Sequence, residues 1–323
     1  MTAPRTPLAP EAQAPILEHV NDEHVPELLL VACALTDARR PVDARLTALF
    51  VEGFEMTVRA ADGEASHFIA YAAPGPAHTA IRATVAEARQ RLGEVVTTRR
   101  LRGTVRSAAH VTPHLRRLTL HLGADALPDW APGYACRFAL NAAEPEGASR
   151  PYTVRRVDPA RGTAEVDVYC HDDTPGSLWA LGLAPGDAVA VTAGRPERFP
   201  DFDAGRALLC GDETALPTIA ALLEGWAHER GPRVLLEVGD AAEQRYLDDV
   251  ALPRGTHLRW LPRVGEPGAT LRRAVTLLED PPGAVWAALS TDGARALRTF
   301  LREEGKLAPA QYAVLGYWKQ KAT

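Results

Sequence analysis

No stretch of this chain approaches the ~20 consecutive apolar residues that a membrane-spanning helix needs, so nothing in it reads as a bilayer span. Cysteine is scarce, and Cys33, Cys136, Cys170 and Cys210 stand far apart with no C-x-x-C spacing. That excludes a local zinc knuckle or iron–sulfur loop and leaves reduced, buried thiols as the expectation. Charge of one sign is not in excess either. The 36 Lys and Arg against 41 Asp and Glu leave a net −5, without the concentrated basic face that nucleic-acid binding requires. Met1 to Pro15 carries one Arg and no apolar core, so it is no secretory signal, and a cytoplasmic protein is expected. What is present, 46% hydrophobic and 24% charged residues over 323 positions, suits two or three globular cores.

The first segment, 1–95, reads as a small α+β module. A short helix or turn reaches Glu23 and a second helix runs from Pro26 to Leu35, since Pro26 is tolerated only in a first turn. Strands follow at Arg45–Val51, Phe54–Ala60 and Ser66–Tyr71, then an amphipathic helix at Ala77–Leu92. His19 and His24 stand five apart, off the i, i+4 spacing of a helical ligand pair. No metal site is expected from them, and they read as residues that cap and orient the helix entry.

The middle segment, 96–200, has six short strands, Val95–Val105, Leu115–Leu122, Tyr134–Leu140, Arg150–Val157, Ala164–Cys170 and Ala188–Thr192. Even spacing of that kind predicts an antiparallel β-barrel. One helix, Ser177–Leu183, interrupts it. Within Arg150-Pro151-Tyr152-Thr153-Val154-Arg155, alternation puts Arg150 and Tyr152 on one side and Thr153 on the other. A guanidinium, a phenol and a hydroxyl so close together suit a ligand that is aromatic at one end and anionic at the other, as a flavin nucleotide is. Thr174-Pro175-Gly176-Ser177 opens the helix, where free N–H groups and the dipole favour a pyrophosphate. An ordinary turn with Ser177 as N-cap is the competing reading.

The last segment, 201–323, alternates strands and helices: Ala207–Cys210, a helix Pro217–His228, Arg233–Val238, His257–Leu261, a helix Leu271–Leu278, Val285–Ala288, a helix Ala294–Glu304 and Gln311–Trp318. That alternation predicts a parallel sheet covered on both faces, an α/β nucleotide-binding domain. No G-x-G-x-x-G is present. Gly211 to Thr214 nevertheless follows the first strand, where such sheets bind ligands.

These stretches resemble the siderophore-interacting proteins of the ferredoxin–NADP reductase superfamily. The resemblance rests on Arg150-Pro151-Tyr152-Thr153-Val154-Arg155, His171, Pro175-Gly176-Ser177-Leu178-Trp179-Ala180 and Pro185-Gly186-Asp187. It extends through Gly211-Asp212-Glu213-Thr214-Ala215-Leu216-Pro217, Glu237-Val238-Gly239-Asp240 and Gly316-Tyr317-Trp318-Lys319. It implies an NAD(P)H-dependent ferric-siderophore reductase that holds noncovalent FAD, with NADPH or NADH as reductant, and works as a monomer. Cofactor contacts are implied for Arg150, Tyr152, Thr153, Arg155, His171, Ser177, Trp179, Asp212, Glu213, Thr214, Pro217 and Trp318, and attraction of an anionic siderophore for Lys319 and Arg155. The family's pattern departs at Asp172, where it has Gly after the His, at the transposed Pro175-Gly176, and at Leu289-Ser290-Thr291-Asp292, where it has Ala-Gly-Glu.

His19-Val20-Asn21-Asp22-Glu23-His24 and Leu49-Phe50-Val51-Glu52-Gly53-Phe54 resemble the C-terminal domain of haem-utilisation proteins. That resemblance implies iron or haem metabolism in general terms. A rival, for which Asp172, Ser290 and the transposed Pro175-Gly176 speak, is a haem or iron-chelate carrier that binds at this module and whose flavin fold is degenerate. A third reading is a flavin reductase that hands reduced flavin to a partner.

Overall fold

The computed structural model describes residues 5–61, 63–94 and 99–320, and the chain divides into two compact units, Met1–Thr97 and Thr98–Thr323. In the first, α1 (Pro10–Glu23) and α2 (Val25–Leu35) precede an antiparallel meander of β1 (Asp43–Leu49), β2 (Gly53–Ala60) and β3 (Gly63–Ala70). Helix α3 (Ala77–Arg91) closes it. Alternating Ala44, Leu46, Phe54, Met56 and Val58 put one sheet face against Leu28 and Val31, forming the unit's core. Helix α1 starts at Pro10, where a proline in the first turn lacks only an N–H that would be unpaired anyway.

Asn21 fastens α1 to the sheet: its amide donates to the Leu46 carbonyl (2.9 Å) and its oxygen accepts from the Leu46 N–H (2.7 Å). The backbone leaves the helix at His24 (φ −124°, ψ 25°), just before Pro26, which cannot donate to the carbonyl four residues back. Spacing along one continuous helix would hold His19 and His24 apart. Across this break the two rings meet instead, with Nε2 to Nε2 at 3.3 Å.

The second unit begins with a closed antiparallel barrel of β4 (Arg100–His110), β5 (Leu115–His121), β6 (Tyr134–Ala139), β7 (Ser149–Asp158), β8 (Thr163–Tyr169) and β9 (Ala188–Pro196). Its order is β4-β5-β8-β7-β6-β9, with α4 (Pro175–Gly182) between β8 and β9. Leu118, Leu120, Phe138, Val154 and Val166 fill it. The strand expected from Val95 has its first residues, 95–98, outside the described ones. Its far end reaches His110 because a bulge between Val105 and Ser107 bends it from pairing with β9 into pairing with β5.

The chain then forms β10 (Ala207–Gly211), α5 (Leu216–Glu224), β11 (Arg233–Val238), β12 (His257–Pro262), α6 (Ala269–Thr276), β13 (Ala284–Ser290), α7 (Thr291–Glu303) and β14 (Tyr312–Trp318). The strands make a parallel sheet in the order β12-β11-β10-β13-β14. Leu209, Leu236 and Trp286 pack on one face with Ile219 of α5, and Leu208, Leu235 and Val285 pack on the other with Leu271 and Leu297. Helix α5 stops at Gly225, short of the expected His228. The order reverses between β10 and β13, so their carboxyl ends form the crevice where such sheets bind ligands. Of the cysteines, Cys136, Cys170 and Cys210 are buried but Cys33 is exposed on α2, against expectation. No described helix is long and apolar enough to cross a membrane.

Candidate functional site

Strand β7 carries Arg150, Tyr152, Thr153 and Arg155 on alternating sides, and the structure sends them to four different places. Arg150 is exposed, and its Nη1 donates to the Ser149 carbonyl at 2.9 Å. Tyr152 stacks on Trp179 of α4 with ring centroids 5.6 Å apart and planes 6° from parallel, and Phe138 backs both rings. Burial pushes the Tyr152 phenol up to about 12, so it stays a neutral donor. Its hydroxyl lies against Gly176, where any Cβ would collide with it and then meet Arg150 Cγ. Glycine is thus required where α4 begins. The result is a wall of aromatic rings ending at a helix N-terminus, flanked by an exposed guanidinium.

Ser177 is turned inward. Its hydroxyl donates to the His171 carbonyl (2.9 Å) and accepts from the His171 N–H (3.0 Å), while Thr174, not Ser177, is the N-cap that accepts from the Ser177 N–H. This fixes the loop that presents the His171 ring, which lies on Tyr169 (centroids 5.7 Å, 24°) and against Trp318 (5.6 Å, 54°). Between them Asp172 has φ 47°. That conformation suits Gly, and among other residues Asp tolerates it best. The Asp172 side chain is 87% exposed, and its carboxylate lies 3.6 Å from His171 Nδ1.

On the sheet, the turn after β10 is Asp212-Glu213-Thr214. Gly211 precedes it because a Cβ would strike the Ala288 carbonyl and the Ala215 side chain. Asp212 is buried. It accepts from the Thr214 N–H (3.0 Å) and hydroxyl (2.5 Å) and from Trp318 Nε1 (2.8 Å), and burial pushes its carboxyl up to about 6. Glu213 accepts from the Gly239 N–H (2.6 Å) and pairs with Arg263, which also reaches Glu237 (3.2 Å). Its carboxylate therefore ties the ends of β10, β11 and β12 together and does not face a ligand. Pro217 is buried in the first turn of α5. Ser290 caps α7, accepting from the Gly293 N–H (3.2 Å), and the Thr291 hydroxyl donates to the Trp318 carbonyl (2.9 Å). The departure from Ala-Gly-Glu is here a helix start.

The structure thus gathers Arg150, Tyr152, Trp179, Ser177 and His171 at one end of the barrel. The His171–Trp318 contact joins them to Asp212 and Thr214 at the switch point of the sheet. Arg155 is the clear correction. Its guanidinium is buried and forked onto Glu224 of α5 at 2.7 and 2.6 Å, so it clamps the barrel to the sheet and is not offered to a phosphate or an anionic substrate. Lys319 is exposed just past β14.

Spacing alone also missed a buried line of hydroxyls. Thr153 Oγ1 lies 2.9 Å from Thr218 Oγ1, which lies 3.3 Å from the Tyr317 hydroxyl, and Tyr317 donates to Glu197. Burial pushes the Glu197 carboxyl up to about 7. The matches of Thr153 and Tyr317 to the family pattern were the signals for it, but nothing local says that they meet through Thr218 and end at Glu197.

A barrel with an aromatic-walled strand, joined to a parallel sheet that turns at its switch point, has the fold of ferredoxin reductases. Comparison with known families is more specific. Residues 124–197 match the siderophore-interacting FAD-binding domain and residues 204–321 match the siderophore-interacting protein family. Among curated relatives, ferric acinetobactin reductase of Acinetobacter baumannii is 28% identical over 202 residues, 58% of this chain and 67% of that protein. Ferric vibriobactin reductase ViuB of Vibrio cholerae is 29% identical over 180 residues, 53% of this chain and 64% of that protein, so the match leaves about a third of each relative uncovered. A siderophore utilization protein from T. fusca superposes with a TM-score of 0.59 at 28% identity, covering 70% of this chain and 94% of that one.

Proposed function

We propose that this protein is an NAD(P)H-dependent reductase of ferric siderophores, with FAD held by the barrel (96–200) and NAD(P)H by the sheet (201–323), the module 1–95 being a separate appendage. The observation that carries this reading is the contact of His171 with Trp318, which makes the aromatic wall of the barrel and the switch-point turn of the sheet two sides of one site. The residues fit FAD. Tyr152 and Trp179 give a flat apolar surface, and the start of α4 gives the Gly176 N–H and the positive end of a dipole. Arg150 adds an exposed guanidinium with the fork geometry that phosphate accepts.

When bound, FAD supplies the conversion of a two-electron hydride donor into one-electron transfers to Fe(III), and Fe(II) leaves its chelator more readily. This chain's residues position and shield. Asp212 fixes the Trp318 indole through Nε1 and the Thr214 hydroxyl with it, setting the floor on which a nicotinamide would lie. The Ser177 hydroxyl locks the backbone of His171 and so the ring that stands between the two half-sites. Thr153, Thr218 and Tyr317 lead from β7 to Glu197, a path for proton movement sealed from water. Lys319 and Arg150 are the exposed cations that would draw an anionic ferric chelate. One chain holds both half-sites, so the reading needs no second subunit. NAD(P)H as reductant places the reaction in the cytoplasm.

The test is the visible spectrum of the purified protein followed anaerobically through additions of NADPH, NADH and then a ferric hydroxamate or catecholate. Flavin bands that bleach with nucleotide and return with the ferric complex are expected. A colourless protein that takes up no added FAD would overturn the reading. Bleaching that returns with oxygen but not with any ferric chelate would make it a flavin reductase instead.

A further inference from the structure

The first unit has no part in that chemistry, yet it carries a cluster of imidazoles. His19 lies on the last turns of α1, His24 at the break before α2, and His78 in the first turn of α3. All three side chains are half-buried. His19 Nε2 and His24 Nε2 are 3.3 Å apart with their rings edge to face at 78°, and the His78 ring lies 5.8 Å from His19 between centroids. Two nitrogens bound to one tetrahedral zinc-like ion, at about 2.0–2.1 Å each, lie about 3.3–3.4 Å apart. The histidine pair already has that separation.

Behind the pair stands a carboxylate, the partner that metal-binding histidines often have. His24 Nδ1 faces Glu27 Oε2 at 3.7 Å, ion-pair range and too long for a hydrogen bond, and Glu27 is itself buried and paired with Arg89 at 3.5 Å. Asn21, between the two histidines in sequence, fixes the turn to β1 with two hydrogen bonds.

We propose that His19, His24 and His78 form a site for a divalent cation of borderline softness, Zn(II) or Fe(II), with Glu27 as the carboxylate beside His24. As the rings stand, His78 packs beside His19 and does not point at the His19–His24 pair, so the pair supplies the two nitrogens already in place and a turn of the His78 side chain would have to bring the third. Imidazole is the ligand type that suits such ions and not Mg(II) or Ca(II). Occupancy by Fe(II) would make the appended unit an acceptor for the product of the proposed reduction, and that part alone rests on the reductase reading.

The full-length protein is titrated anaerobically with Co(II), read in difference spectra at wavelengths beyond flavin absorption. A single saturable site with the intense bands of tetrahedral cobalt is expected, displaced by Zn(II) or by Fe(II). His19→Gln and His24→Gln should abolish those bands. His78→Gln and Glu27→Gln should weaken binding about 10–100-fold. Zn(II) should raise the melting temperature of the wild type but not of the His19 and His24 variants, whose metal-free melting and far-UV circular dichroism confirm that they fold. Weak octahedral bands without saturation would overturn the site, as would uptake that survives the His19/His24 double variant. So would uptake that vanishes on His114→Gln, which would move the metal to the His114, Asp240 and Glu243 cluster. A Soret band with added haemin, in a protein that gives no cobalt bands, would overturn it in favour of haem.

Discussion

Asp212 shows how a single buried carboxyl ties stability to the site. Burial raises it to about 6 from an ordinary 3.8, against three donors that pull the other way. Between those two pH values the unfolded chain has released this proton and the folded chain keeps it. The contribution is therefore full below about pH 4 and is lost as pH rises through about 6. In urea unfolding, the stability of wild type minus that of Asp212→Asn should fall by about 2 kcal/mol from pH 4 to pH 7; a flat difference would show that the donors cancel the burial. Glu197 offers a functional counterpart. Its carboxyl, at about 7, ends the line of hydroxyls from Thr153. If that line moves a proton during flavin reduction, the rate should show an inflection near pH 7 that Glu197→Gln removes, with FAD affinity kept.

At the scale of elements, α4 is the part of the site most exposed to small changes, since its first turn and the Tyr152 hydroxyl share the space left by one missing Cβ. Gly176→Ala should drive the helix start from Tyr152 and Arg150. FAD binding, measured by flavin fluorescence on titration, should weaken at least about tenfold, because a misplaced dipole and a lost ring contact each forfeit about 1 kcal/mol. Unchanged affinity would separate α4 from the cofactor. Most of this architecture was legible in the sequence. The period-2 strands, the βα alternation and the turn after β10 are local patterns, and they appear as barrel, parallel sheet and switch-point turn. What was not legible is pairing across distance. That Ser177 would bond the backbone of His171, that Glu213 would be spent on Gly239 and Arg263, and that a chain break would bring His24 back onto His19 all depend on where other segments fold. Asp172 sits between the two cases: its change from Gly is visible in sequence, but the backbone at φ 47° and its carboxylate 3.6 Å from His171 Nδ1 are visible only in the fold.

At the scale of the whole molecule, the second unit works only if the barrel and the sheet keep their registry, because the proposed half-sites meet across their junction. Three buried groups hold that junction. Asp167 of β8 accepts from Arg117 (2.8 and 2.7 Å) and from Tyr246, Glu243 accepts from the His114 N–H (3.0 Å), and Arg155 forks onto Glu224. The last was expected to serve a ligand; its placement makes it a mechanical part instead. Arg155 is 4% and Glu224 27% exposed at the side chain, and Arg156 also reaches Glu224 at 3.0 Å. Glu224→Leu alone therefore strands the buried Arg155 charge and should cost about 3–5 kcal/mol, whereas Arg155→Met with Glu224→Leu should recover most of that loss, since a buried ion pair replaced by apolar groups of similar volume is often neutral. The stability of both variants, compared in chemical denaturation, checks the coupling. The spectroscopic consequence is separate. In wild type, flavin release and loss of far-UV circular dichroism from the second unit should coincide in one transition. In Glu224→Leu, the flavin should leave first as the junction opens ahead of the barrel and sheet. If the two signals stay coincident in that variant, the Arg155–Glu224 clamp stabilises the fold without setting the registry of the site.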